Sequence, residues 1–190
     1  MLRERHYLKI HYSVTTGDAN AVSPFDGDGN GTPDYVERVM LVLEEVWSYE
    51  ITAMGYYPPP SDGVAGGDSK YDVYLYWMPA YYGLVNAETL VGDNPNSPFN
   101  ESNAYTSFMS LRNNYIGQPW DELPLLQTTT AHEYYHSIQF GYDGWESSWI
   151  KEATSAWCED EVYDAANINL RFLPAWFSAP WIPLDENDVE

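Results

Sequence analysis

Apolar and polar residues alternate at the start of the chain. Across residues 6–14, Leu8, Ile10, Tyr12 and Val14 fall opposite Lys9, His11 and Ser13, the period-two pattern of a half-buried strand. A polar, glycine-rich loop follows. From 34 to about 54 the period changes: Val36, Val39, Met40, Leu43, Val46 and Trp47 recur at three-and-four spacing and predict a helix with one apolar face. "YYPPPSDGVAGGDS" ends it, and "KYDVYLYWM" (70–78) reads as a second strand rich in β-formers. Residues 83–103 are polar and rich in Asn and Pro, and read as loop. "AYTSFMSLR" (104–112) predicts a third strand. Pro124 can open a helix that ends near Phe140 with Gly141 as its C′ residue, and a last helix spans about 148–166. There is no internal repeat. Strands first and a helix pair afterwards predict an α+β fold in one domain over residues 1–190 rather than alternating βαβ units.

Charge narrows the partners. Eight Lys and Arg against 29 Asp and Glu give a net charge of −21, which argues against a nucleic-acid or anionic-membrane partner and suits a protein that binds divalent cations. Cys158 is the single cysteine, so neither a disulfide framework nor a cysteine-based zinc cluster can form; inside the last helix it reads as a buried apolar residue. No stretch is long and apolar enough to span a bilayer, and "MLRERHYLKIHY" has no apolar signal core.

The candidate chemistry lies in "TTTAHEYYHSIQF". Residues i and i+4 of a helix share a face, so His132 and His136 can offer two imidazole nitrogens to one zinc ion. Glu133 stands beside them as a general base for water that the ion acidifies, the H-E-x-x-H arrangement. A second motif, "DGDGNGTPDYVE" (26–37), fits the EF-hand loop: Asp26, Asp28, Asn30, Thr32 (through its carbonyl), Asp34 and Glu37 fall at the calcium-ligand positions, and Gly31 at the sharp turn. Pro33 stands where a β-former is usual. No partner loop is visible, so a structural clip is expected rather than a sensor, filled by extracellular calcium. That points to a secreted protein whose signal was removed.

Weaker signals are read as ordinary structure. Asp68 and Asp72 suit a turn and a strand start better than a second metal site. His6 and His11 lack a partner motif, and the "NES" and "NGT" acceptor patterns are taken as coincidence.

The sequence resembles the HExxH zincin metallopeptidases of gluzincin type, and more closely secreted bacterial metalloproteases that join this site to an upstream calcium loop. The likeness runs from "IHYSVTTGDANAV" through "YDVYLY" to "TTTAHEYYHSIQFGYD" and "WIKEATSAW". In gluzincins the third ligand is a glutamate on a second helix within W-x-x-E-[GA]-x-[AS]; Trp149 to Ser155 matches, with Ala153 in place of the commoner Gly. The resemblance therefore implies Glu152 as third ligand. It further implies a zincin-like fold, with an N-terminal mixed sheet, an active-site helix and a following glutamate-bearing helix, and a peptide substrate bound as an extended strand along a sheet edge. The short turn between the helices favours Glu152 over Glu159, which lies two turns further on and is expected to act as an outer partner. Tyr163 is expected to be packing. Two departures stand out: only 15 residues separate His136 from Glu152, and about 38 follow Glu152 where such enzymes carry a further helical subdomain, so the expectation is a domain truncated there. From another class, the same motifs suit a calcium-stabilised extracellular binding or adhesion module with a non-catalytic zinc site.

Overall fold

A computed structural model describes residues 2–4, 7–183 and 185; His6 lies outside the described residues. The fold is α+β, built on one mixed five-stranded sheet. Its strands are β1 (Leu2–Glu4), β2 (Leu8–His11), β3 (Tyr71–Tyr76), β4 (Gly83–Gly92) and β5 (Ala104–Arg112), in the order β1-β2-β3-β5-β4. β2, β3 and β5 run parallel, and the outer strands β1 and β4 run antiparallel to their neighbours.

Helix α1 (Asp34–Trp47) buries Val36, Val39, Met40, Leu43 and Val46, the stripe predicted by their spacing, and continues as a π-helical turn over Ser48–Ala53. Helix α2 (Glu122–Asp143) packs against α1, β4, β5 and α3 (Ser148–Tyr163), so it is surrounded on most sides. The core is the meeting of α1 and α2 with Leu8, Ile10, Val73, Leu75, Met109 and Leu111 of the sheet. Each such side chain contributes about 1.5–3 kcal/mol relative to exposure. Cys158 is buried, as expected. After α3 come a 3-10 turn (Ile168–Phe172) and the short α4 (Leu173–Ser178). No helix among the described residues is long and apolar enough to cross a membrane.

Three expectations need correction. Residues 83–92, read as loop, are the edge strand β4. The alternation is missing because an edge strand with little cover on either face need not alternate: Leu84, Leu90 and Val91 are exposed along with Glu88 and Thr89, and the register with β5 is broken twice by bulges. Next, α2 starts two residues before Pro124 and ends three after Phe140. Proline is tolerated at the third helical position because amides of the first turn have no intrahelical acceptor. Gly141 is not a C′ residue at all. It is buried inside the last helical turn, where a Cβ would press within 3.2 Å of Asn94, Pro59 and Pro60, so it serves close packing rather than a left-handed turn. Finally, the 6–14 strand shortens to Leu8–His11, with Ser13 making an isolated bridge to Ala21.

Candidate metal centre

The site is built on the α2–α3 hairpin. Gly144 N–H donates to the carbonyl of Asn103 (3.0 Å), and Trp145 Nε1–H donates to Tyr105 Oη (3.0 Å), so the turn is tied to the start of β5. α3 then folds back along α2 and brings Glu152 to the two histidines. The donor atoms converge: His132 Nε2 and His136 Nε2 are 3.1 Å apart, His132 Nε2 lies 3.3 Å from Glu152 Oε2, and His136 Nε2 lies 3.5 Å from Glu152 Oε1. Ligands at zinc distances of about 2.0–2.1 Å in a tetrahedron stand about 3.3 Å from one another. Among the described residues this is the one His/Cys/Asp/Glu group so compact.

The outer nitrogens of both imidazoles are held. His132 Nδ1–H donates to Glu159 Oε1 at 2.8 Å. His136 Nδ1 lies 2.8 Å from Gln139 Oε1 and 3.1 Å from Ser155 Oγ. The Gln139 amide has one sensible orientation, because its Nε2 donates to the carbonyl of Lys151 (3.0 Å) and to Thr154 Oγ1 (2.8 Å). Its oxygen therefore faces His136 Nδ1–H, which leaves a lone pair on His136 Nε2 directed at the centre. Such outer partners fix ring orientation and raise ligand basicity.

Electrostatics agree with a cation site. Burial opposes charge on His132, but the Glu152 and Glu159 carboxylates outweigh it and hold its pKa at about 10. The ring therefore carries its second proton at neutral pH. The neighbouring imidazoles, His132 first and then His136, hold the Glu152 carboxyl far below its ordinary range. Glu133 is pushed upward, first by burial, against the pull of the two histidines. The backbone of β4 crosses directly over it. A Cβ on Gly83 would sit 2.5 Å from Glu133 Cγ and 2.7 Å from Thr129 Cγ2, so glycine is the residue that permits this approach.

The open side is a cleft of about 840 Å³ between the start of β4 and α3, with Glu152, whose side chain is 66% exposed, on its rim. Glu159 stands where an outer partner was expected. Tyr163 packs on the core and donates to Glu45, away from the centre.

Several residues were not anticipated. Gln139 is three residues from His136 on one helix, a spacing that could have revealed it. Ser155 stands three residues after Glu152 within the matched stretch, whereas Gly83 and Arg171 reach the site only through the fold. Glu50 is a further buried carboxyl that was not anticipated: burial raises its pKa and Cys158 Sγ–H of α3 donates to its Oε1 (3.4 Å).

The 26–37 loop is folded on itself. Asp26 accepts from the backbone N–H groups of Gly29, Asn30 and Gly31, which lower its pKa, and Asp34 accepts from Gly27 N–H. Asn30 Nδ2 donates to both Asp28 Oδ2 (2.8 Å) and Glu37 Oε1 (2.9 Å), so an amide NH₂ occupies the point where these oxygens meet. Asp28, Asn30 and Glu37 thus converge, while Asp26 and Asp34 are turned to the backbone, and the buried Thr32 gives its N–H to Asn30 Oδ1. Elsewhere, Asp68 makes the expected turn with Lys70 N–H and pairs with Lys9. Asp72 lies at the expected strand start, as a buried residue of β3 whose Oδ1 is 2.6 Å from His11 Nε2.

No family model matches the chain, and neither does a curated protein or a solved structure.

Proposed function

We infer that the chain is a secreted zinc-dependent endopeptidase domain with a zincin-like fold of gluzincin type. One observation carries this reading: the three donor atoms of His132, His136 and Glu152 stand 3.1–3.5 Å apart with both outer imidazole nitrogens already engaged. The residues fit the ion in number, type and spacing, and the exposed cleft leaves a side open, as catalytic rather than structural zinc sites do. When bound, zinc supplies Lewis acidity, lowering the pKa of water and polarising a carbonyl.

The protein's own groups do the rest. Glu133, pinned beneath the β4 backbone, takes the proton of the attacking water and delivers it to the leaving amine nitrogen. Burial raises its pKa, the direction that favours accepting the proton. Glu159 and Gln139 hold the imidazoles in the tautomer that offers Nε2. The outer edge of β4 has unpaired backbone groups beside the cleft, to which an extended peptide substrate can add as a further strand.

The 26–37 loop is, on the same reading, a calcium clip. Its acidic residues fit in part, since Asp28, Asn30 and Glu37 converge while Asp26 and Asp34 would have to turn from the backbone amides they now accept.

The deciding experiment is metal analysis of the purified protein, followed by cleavage of casein or a fluorogenic peptide with and without a zinc chelator. About one zinc per chain and chelator-sensitive cleavage are expected. Bound zinc with no cleavage of any peptide would overturn the peptidase reading and leave the binding module.

A further inference from the structure

In a chain with eight basic and 29 acidic residues, a cationic side chain ordinarily finds a carboxylate, as Arg38 does with Glu122 and Lys9 with Asp68. Arg171 does not. Among the described residues it forms no ion pair, and its Nη1 is buried without a hydrogen-bond partner. Nor is it loose. Its guanidinium lies over the rings of Phe172 (4.6 Å), Trp120 (5.0 Å) and Tyr82 (5.7 Å), which fix the group but offer it no strong acceptor. A second guanidinium lies over the same tyrosine: Arg112, buried and likewise unpaired among the described residues, is 5.7 Å from the Tyr82 ring, with its Nε unpartnered. Two uncompensated positive charges therefore meet at Tyr82 in a protein of net charge −21.

Arg171 lines the same cleft as His132, His136 and Glu152. The other cation there, Lys151, is engaged with the carbonyl of Gly144 (3.3 Å) and the ring of Phe140. Tyr82 immediately precedes Gly83, where β4 begins over Glu133. Leu84 and Val85 line the cleft along β4, and Arg171 lines it beside Tyr82, before the strand begins. A peptide paired with β4 would therefore run along Leu84 and Val85 and reach Arg171 beyond the strand's start.

We propose that Arg171 is the specificity-determining residue of the cleft and receives a substrate carboxylate, from an Asp or Glu side chain or from a free C-terminus, on the side of the scissile bond away from β4. The proposal rests on the peptidase reading for its choice of a peptide as ligand. A planar fork of N–H donors matches a carboxylate bidentately, and a buried donor left unpaired by a neutral analogue is what makes a site reject that analogue.

The test uses zinc-loaded full-length Glu133→Gln, with binding read by fluorescence anisotropy of labelled peptides, alongside turnover by the wild type. Three peptides share one core: one with a Glu side chain and an amidated C-terminus, one with Gln and a free C-terminal carboxylate, and one with Gln and an amide. At least one carboxylate peptide is expected to bind about tenfold or more tighter than the neutral one. Adding Arg171→Gln should erase the difference while leaving the neutral peptide within about twofold, and Arg171→Lys should restore part of it. The arm that shows the preference identifies the carboxylate's source. Equal binding of all three peptides, or a preference that survives in both Arg171 variants, overturns the proposal. Preference without cleavage by the wild type removes the peptidase reading and keeps the anion subsite; cleavage without preference does the reverse.

Discussion

The α2–α3 centre and the 26–37 loop both gather carboxylates, yet they hold them in opposite ways. At the centre the donors point at one another, and their outer atoms are held by residues from a second helix: Glu159, Ser155 and the Gln139 amide clamped to Lys151 and Thr154. In the loop the acceptors are satisfied by the loop's own amides and by the Asn30 side chain, all at the surface. The first turns its donor atoms toward one point, the second turns most of its oxygens toward its own amides. A cation should therefore meet a preformed site in one place and rearrange its ligands in the other.

The hardest blow to the centre leaves its ligands alone. Glu133→Gln should keep zinc and fold but lose turnover by about a hundred- to ten-thousand-fold; metal analysis beside peptide-cleavage rates decides it, and wild-type rates would sink the assignment. Next come the ligands against their supports. Glu152→Ala should remove most of the bound zinc, while Glu159→Ala should cost about 10- to 100-fold in affinity. Competition with a chromogenic chelator ranks the two, and unchanged affinity in Glu152→Ala would take that residue out of the site.

The loop should answer to calcium instead. At a hundred times its dissociation constant a ligand stabilises the folded state by about 2.7 kcal/mol. Millimolar calcium should raise the melting temperature and Asp28→Ala should abolish the rise; a curve indifferent to calcium in the wild type removes the clip.

The two regions also differ in pH. In zinc-free protein His132 is raised from 6.5 to about 10, so its contribution to stability is complete below about pH 6.5 and is lost as pH climbs toward 10. Asp26 is lowered by its backbone hydrogen bonds, so its contribution is present above its ordinary value of 3.8 and is lost as pH falls through the lowered one. Melting curves should show His132→Gln flattening the alkaline limb alone and Asp26→Asn the acid limb alone. The reverse assignment would mean the two regions are not held as described.

Much of this was legible in the sequence, because local periodicity and spacing carry it. The α1 stripe, the i, i+4 histidines and the reach of a short turn to Glu152 before Glu159 are all consequences of 3.6 residues per turn. What stayed hidden depends on neighbours distant in the chain. β4 has no alternation because it has little cover, and its role over Glu133 comes from packing against α2. Arg171 reaches the cleft only once the chain turns back after α3. Gly141 looked like a helix stop and is a contact with Pro59, Pro60 and Asn94.

Gln139 links two equilibria. Its amide presents oxygen to His136 only while Lys151 and Thr154 of α3 hold its nitrogen. If α3 lifts away, the amide can rotate and offer NH₂ instead, which favours the imidazole tautomer with its proton on Nε2 and no lone pair for a cation. Docking of α3 and affinity at the centre are then thermodynamically coupled, and by reciprocity each strengthens the other by the same factor. A substitution on α3 far from the ligands can weaken metal binding by loosening the hairpin, and loss of the cation should in turn loosen the hairpin.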